Sequence, residues 1–575
     1  MANALFRGRS KTLMIILNII GLAAAVMLVL KVPFGYGTTD ECYYLVSPLK
    51  VLGGDAMLKD EWFIAQLSGF ILMPVLKIYL LIAQSTEGIL LAFRYIFVTV
   101  KILAAVFIYR RLKRTGYIFP AFVASLLFLI YTPYDILGFS YNTIGHICMC
   151  MAMAIMATLD VKERAYAILA GVLYAAAVLC CPYLAVMYVI YTIFIICTRR
   201  ATFAKETGAL RTGTWVRTTI GIAGLAVIFV IFLLIKATPA EIITSLPHVL
   251  DDPSHPKTGI FAGIKSYVKT IIMWDKKRLA IFLLLAVICA VLLFVKKARK
   301  FRLIAFVTAA VLTLLYVFLP GYMFDMANHY ILPLNIFGFV CFFLTDRKYH
   351  RMFWGMWIPG LIYSFVIFLS SNQGFYVISS ATIVAAPASI LFITEAAADI
   401  AGDLVPANVI GTITGVVALL LMAFQISAVA ASAWEHCCWD ENRSTLDAKI
   451  EEGCEKGIIT TQKTWADYMN LRAETADFRN ITGTRVMYYT EYELWLVLDD
   501  TKQVGSCFSY YFGDDEYLCS QLEEYYEMYP DKRPGCIYFE KVTDIDTAAG
   551  ILGLDKDLIE TTAGGNYLYV SDSIS

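Results

Sequence analysis

Apolar residues run in long blocks through most of the chain, separated by short polar or basic segments, and give way near residue 434 to short alternating runs. Blocks long enough to cross about 30 Å of hydrocarbon lie near 12–32, 88–109, 116–132, 143–159, 165–180, 182–198, 217–236, 279–295, 303–319, 329–345, 353–370, 376–395 and 408–430. They predict thirteen transmembrane helices. The stretch 70–83 is short and carries Pro74 and Lys77, which assigns it to an interfacial helix. Cys181-Pro182 divides 165–198 into two spans joined by a tight hairpin.

Beyond residue 434 the pattern changes period. Alternation at Thr484–Thr490, Leu494–Asp499, Cys507–Tyr511, Cys536–Glu540 and Asn566–Val570 predicts strands, and helical patterns fall near 462–475 and 515–528. The expected architecture is a polytopic α-helical membrane domain, 1–433, followed by a soluble α/β domain, 434–575.

Composition agrees, with 59% hydrophobic and 16% charged residues. Formal net charge is zero, but the tail after Trp434 holds 28 acidic and 12 basic residues against 19 and 35 before it. The basic residues sit in RRLKR at 110–114, Lys162 and Arg164, Arg199 and Arg200, KKARKFR at 296–302, and Arg347 and Lys348. They alternate with loops poor in basic residues, which puts the amino terminus in the cytoplasm and, after thirteen spans, the tail outside the cytoplasmic membrane. Clusters between apolar runs do not form the continuous basic stripe of a nucleic-acid binder. With no Walker loop, H-E-x-x-H or G-x-G-x-x-G, no nucleotide is expected. Six of the fourteen cysteines lie in the tail, where an outer compartment permits disulfides.

Candidate chemistry gathers in the first outer loop, 33–87, which carries Asp40, Glu41, Asp55, Asp60 and Glu61. Asp40 falls a few residues from the lipid boundary, where desolvation lifts a carboxyl toward general-base range. Arg94, in EGILLAFRYIF, lies inside the second span. A guanidinium at that depth must face the bundle interior and meet a carboxylate or an anionic ligand; Asp40 and Glu87 are the carboxylates considered for a structural pair. PGYMFDMANHYILPLN places Asp325, His329 and Tyr330 near the same face. In LPHVLDDPSHPK, His248, Asp251, Asp252 and His255 offer irregularly spaced ligands for a divalent metal.

TTDECYYL, GGDAMLKDEW, FILMPVLKIYLL, EGILLAFR, TPYDILGFSYNTIG and HYILP together resemble the GT-C superfamily of membrane glycosyltransferases, notably its protein mannosyltransferases and aminoarabinose transferases. GTRVMYYTEYELWLVLDD in the tail is similar to tails of that group. The resemblance implies that Asp40-Glu41 match the family's acidic pair, with Asp40 as base, that Arg94 matches its arginine near the outer end of the second span, and that Arg94, His329 and Tyr330 bind the donor phosphate. His329, before Tyr330, stands where the family more often has arginine or lysine. Asp55, Asp60 and Glu61 are carried as acceptor-binding or supporting residues; the family's metal ligands have no match.

The implied activity is inverting transfer of a sugar from a polyprenyl-phosphate donor to a glycan, lipid or protein hydroxyl. Phosphate is a weakly basic leaving group that needs charge stabilisation more than a proton, so one base and one cation suffice. Two other readings compete: a transporter or flippase of a polar lipid, with Arg94 on its path, and a non-catalytic envelope scaffold whose tail is a binding module.

Overall fold

The computed structural model describes residues 11–571 except 38–40, 161, 202, 205–206, 252–258, 273–275, 296–300, 322–326, 346, 372–373, 404–406, 438–439, 477–483, 491–492, 501–502 and 510–513. All thirteen apolar blocks are helical. In chain order the helices that matter for the site are α1 (Lys11–Lys31), α2 (Tyr43–Leu52), α3 (Gly69–Ala83), α4 (Ile89–Leu112), α5 (Ile118–Ile130), α6 (Tyr141–Thr158), α7 (Arg164–Cys180) and α8 (Ala185–Thr198). They are followed by α9 (Thr212–Lys236), α10 (Pro239–Val249) and, after further apolar helices, α11 (Ala407–Glu435).

Among the described residues, seven helices are long and apolar enough to cross a membrane, or eight if the pair Phe375–Val384 and Ala386–Ile400, bent by 67°, counts as one span. Ile64–Ala83, which includes the stretch assigned to the interface, is among the seven by length and composition. Several other blocks make shorter helices, including α5, α7, α8 and Arg302–Phe318. Helices suit lipid because every interior backbone group finds its partner within the element. The faces left open match that solvent: along α9, Val227, Ile228, Val230, Ile231, Leu234 and Ile235 are all exposed, a belt no water-facing helix would carry.

Close helix contacts are made by small residues. A Cβ on Gly171 of α7 would fall 2.1 Å from the Thr218 carbonyl of α9, and one on Gly221 would fall 2.1 Å from the Ile168 carbonyl. Hydrogen at these positions lets the two backbones touch, a gain from packing where the hydrophobic effect gives none.

The tail builds a four-stranded sheet ordered β3-β4-β6-β5, with β3 (Val486–Tyr489), β4 (Cys536–Phe539), β5 (Ile559–Thr561) and β6 (Tyr567–Val570). β3 and β4 are parallel, and β4–β6 and β5–β6 antiparallel. A separate pair joins β1 (Ala448–Lys449) to β2 (Ile459–Thr460). Helices Gln462–Glu474 and Asp515–Met528 lie where their periodicity predicted.

Two strand expectations fail. Leu494–Asp499 lies within a helix, Glu493–Asp500, whose Trp495, Leu496, Val497 and Leu498 are all buried. Burial on every side erases the alternation that separates strand from helix. Cys507–Ser509 instead runs as irregular chain against the first loop: Trp62 N–H donates to the Cys507 carbonyl (2.7 Å) and Ser509 N–H to Glu61 (3.2 Å). Residues 510–511 lie outside the described residues. Cys437, Cys454 and Cys519 are buried thiols and form no bridge.

The tail is fastened to the first loop by buried ion pairs. Lys532 Nζ lies 2.9 Å from Asp55 and 3.0 Å from Asp60, and Arg485 lies 3.3 Å from Asp55; Glu61, held by Lys50 of the same loop at 2.7 Å, accepts from the Ser509 hydroxyl of the tail at 2.6 Å. Removing one member of such a group strands the others. Lys532→Met is therefore expected to destabilise the protein by about 3–5 kcal/mol and to expose the tail to protease, measured by thermal unfolding and limited proteolysis; unchanged resistance would contradict the role.

Candidate functional site

Arg94 occupies the second turn of α4 and is 4% exposed. Its Nε donates to both Glu41 oxygens (2.8 and 3.1 Å) and its Nη2 to Oε2 (2.5 Å). Nη1 donates to the carbonyls of Val32 (3.1 Å) and Phe34 (3.3 Å), just past α1. The carboxylate is seated between two glycines, since a Cβ on Gly37 would fall 2.2 Å from Oε2 and one on Gly138 would fall 2.4 Å from Oε1. No other residue type leaves room for the pair.

Gly138 follows a strained turn. Tyr134 and Asp135 both take left-handed φ, 55° and 58°, in non-glycine residues, a conformation that surrounding structure must hold in place. Asp135 is buried, and its Oδ2 lies 3.3 Å from His436 Nδ1. Lys31, the last residue of α1, donates to the carbonyls of Ala433, Trp434 and His436 at 2.9, 2.9 and 2.6 Å, a cation placed at the negative end of α11. Lys31, Gly35, Glu41, Arg94, Asp135 and Cys437 border one small polar crevice.

The tail closes the other side of Arg94. Helix α4 begins at Gly88 (φ 69°), and its first free amides are taken by tail carbonyls: Gly88 N–H donates to Gly453 (2.9 Å) and Leu90 N–H to Cys454 (3.3 Å). The next tail residue, Glu455, is fully buried, with Oε1 accepting from the Cys42 thiol at 3.8 Å. Burial pushes the Glu455 carboxyl well above the usual carboxylate range, with Glu41 and Asp499 adding to the shift and Arg94 opposing it. Burial and the Glu455 charge likewise raise the Tyr36 phenol.

The structure joins some of the sequence-predicted residues and separates others. Arg94 meets a first-loop carboxylate as expected, but the partner is Glu41; Glu87 pairs instead with Lys456 at 3.0 Å. Asp40 lies outside the described residues, as do Asp252, His255 and Asp325. Asp55 and Asp60 belong to the buried ion pairs with the tail, and Glu61, paired with Lys50 of its own loop, accepts from Ser509 of the tail, all away from the crevice. His329 is buried with its ring 5.5 Å from Phe375 and 4.8 Å from Tyr376. With Tyr330 it borders a different, largely apolar crevice beside Pro333 and Gln425, although its turn packs on the turn that carries Asp135. His248 stacks on Trp62 at 4.1 Å and bonds Gln521 at 3.1 Å. Among the described residues no group of three or more His, Cys, Asp and Glu is arranged to hold a metal ion.

Asp135 and Glu455 are the residues that sequence reasoning missed. Asp135 sat within TPYDILGF, where a polar segment between two apolar blocks was a usable signal. Glu455 carried none, being one of many tail carboxylates.

No protein-family model matches the chain, and no curated protein is similar to it. The chain is similar to solved oligosaccharyltransferases from Archaeoglobus fulgidus. One is AglB in complex with an inhibitory peptide and a dolichol-phosphate, at 13% identity and a TM-score of 0.49, covering 98% of this chain and 75% of that one. Another is the apo form, at 12% identity and a TM-score of 0.49, covering 97% and 74%. A third, in complex with zinc and sulfate, gives 14% identity and a TM-score of 0.45, covering 96% and 73%.

A double-mutant cycle measures the central pair. Arg94→Gln and Glu41→Gln are each expected to cost about 3–5 kcal/mol by leaving a buried charge alone. Made together, the two changes should cost at least about 2 kcal/mol less than their sum, read by thermal unfolding; additive losses would show that the two side chains are not coupled.

Proposed function

We propose that the chain is a GT-C-type glycosyltransferase that moves a sugar from a polyprenyl-phosphate donor to an acceptor hydroxyl at the outer face of the cytoplasmic membrane. Thirteen crossings with a cytoplasmic amino terminus would put the crevice and the tail, 434–575, on that outer side.

The observation that carries the reading is a buried guanidinium, Arg94, held by Glu41 near the start of an apolar helix beside a crevice bordered by Glu41 and Asp135. An anionic headgroup on a lipid tail reaches such a place from the bilayer without leaving it.

The chemistry follows from the groups. Arg94 offers five N–H donors in a planar fork, matched to phosphate as well as to carboxylate. A donor phosphate would share the fork with Glu41 or displace it, and the fixed charge would favour the departing phosphate as the anomeric C–O bond breaks. Asp40, next to Glu41 in sequence, takes the acceptor hydroxyl proton as oxygen attacks the anomeric carbon, so configuration inverts. Asp135, steadied by His436, is a second carboxyl for orienting the acceptor or the sugar. His329 and Tyr330, one turn removed from Asp135, suit contact with the lipid-phosphate end of the donor. Glycan, lipid and protein hydroxyls all meet the acceptor's chemical requirement.

One observation favours a transporter instead: the 67° break between Phe375–Val384 and Ala386–Ile400. Transporters build substrate paths from discontinuous helices, and this pair of helices is discontinuous.

The test uses purified protein in lipid with labelled polyprenyl-phosphate sugars. Asp40→Asn is expected to lower transfer by about 10²–10⁴-fold while donor binding and the melting temperature stay near those of the wild type. Unchanged turnover would remove Asp40 as base; movement of intact lipid without sugar transfer would support transport.

A further inference from the structure

The loop 450–458 differs from the rest of the tail because it enters the membrane part's own hydrogen bonding. Gly453 and Cys454 cap α4 with their carbonyls, and Lys456 pairs with Glu87 at 3.0 Å in front of the same helix end. Gly457 (φ 92°) is equally committed, since a Cβ there would fall 2.6 Å from Leu91 of α4. The helix that presents Arg94 therefore starts on tail backbone. Between the capping residues and Lys456 stands Glu455, fully buried, with Oε2 bonded to nothing. The phenol oxygen of Tyr36, also buried, is a second unpartnered polar atom nearby.

We infer that the loop 450–458 is a working part of the Arg94 site and that Glu455 is its positioning residue, acting through Arg94. The inference rests on the proposed reading of that site and names a tail residue the reading does not need. Charge decides how Glu455 acts. The groups facing it are Arg94, Glu41, Cys42 and Tyr36 from the membrane part, and Cys454, Tyr468 and Asp499 from the tail. Asp499 is balanced by Arg472 at 3.0 Å, and Glu41 already neutralises Arg94. A second ionised carboxylate beside that pair would leave net negative charge in a dry site and would repel an arriving phosphate. Glu455 therefore works as the neutral acid, adding no charge that competes for the guanidinium. Its ionisation at high pH draws Arg94 away from the headgroup.

Full-length protein in lipid is compared as wild type, Glu455→Gln and Glu455→Ala. With a polyprenyl-phosphate sugar, the Gln variant is expected to stay within about twofold of wild type near neutral pH, while the Ala variant, leaving a hole beside Arg94, loses about tenfold in kcat/KM. On the alkaline side wild-type activity falls as Glu455 ionises, a decline the Gln variant lacks.

A second readout needs no turnover. Because folding raises the carboxyl above its unfolded value, its contribution to stability is complete below about pH 4.3 and is lost as pH rises toward the folded value. The wild-type Tm should therefore fall relative to the Gln variant as pH rises above about 4.3, the unfolded value. Wild-type transfer by the Ala variant, equal impairment of Gln and Ala, or parallel Tm curves would each overturn the inference. A wild type that transfers from no polyprenyl-phosphate sugar sinks the proposed function instead, and the Tm curves then decide Glu455 alone.

Discussion

A guanidinium inside an apolar helix cannot be left alone, and the arrangement around Arg94 follows from that constraint. Removing its charge from water costs several kcal/mol unless a carboxylate and further acceptors take every donor. Glu41 supplies the carboxylate, Val32 and Phe34 supply carbonyls, and Gly37 and Gly138 supply the space. Three separated pieces of chain, the end of α1, the start of α2 and the turn before α6, are thereby fixed to α4. A site assembled this way is preorganised, because its charges are set before any ligand arrives.

The tail is part of the same solution. It caps α4, buries Glu455 next to the pair, and is bolted to the first loop through Lys532, Asp55 and Asp60. Carboxylates that looked like a catalytic reserve in the sequence thus divide by environment: Glu41 faces the crevice, while Asp55, Asp60 and Glu61 hold the tail on. Dense charge in a loop says that something must balance it; only the fold says whether the balance is a ligand or another segment.

Much of this was legible in the chain. The apolar blocks announced helical segments, of which seven or eight among the described residues are long and apolar enough to cross a membrane, and the depth of Arg94 within EGILLAFRYIF announced a buried partner in the first loop. Neighbouring carboxylates were harder to separate, because Asp40 and Glu41 differ by one residue and a turn can aim either inward. The helix at Glu493–Asp500 was misread because a run buried on all faces has no period to detect. Asp135 stood in a polar segment that could have drawn attention, but its pairing with His436 is distant in sequence; Glu455, which meets Cys42, left no local trace at all. His329 was placed by the sequence only near the same face as Arg94; it lines a neighbouring crevice, since residues at one end of a bundle need not share a wall.

The most direct test is a structure of the protein in a lipid nanodisc with a polyprenyl monophosphate bound. The account predicts phosphate density within hydrogen-bond reach of the Arg94 guanidinium, with Glu41 sharing the fork or swung aside and the lipid tail running out between helices. Phosphate density at another place, with Arg94 and Glu41 still closed on each other and no opening to the bilayer, would contradict it.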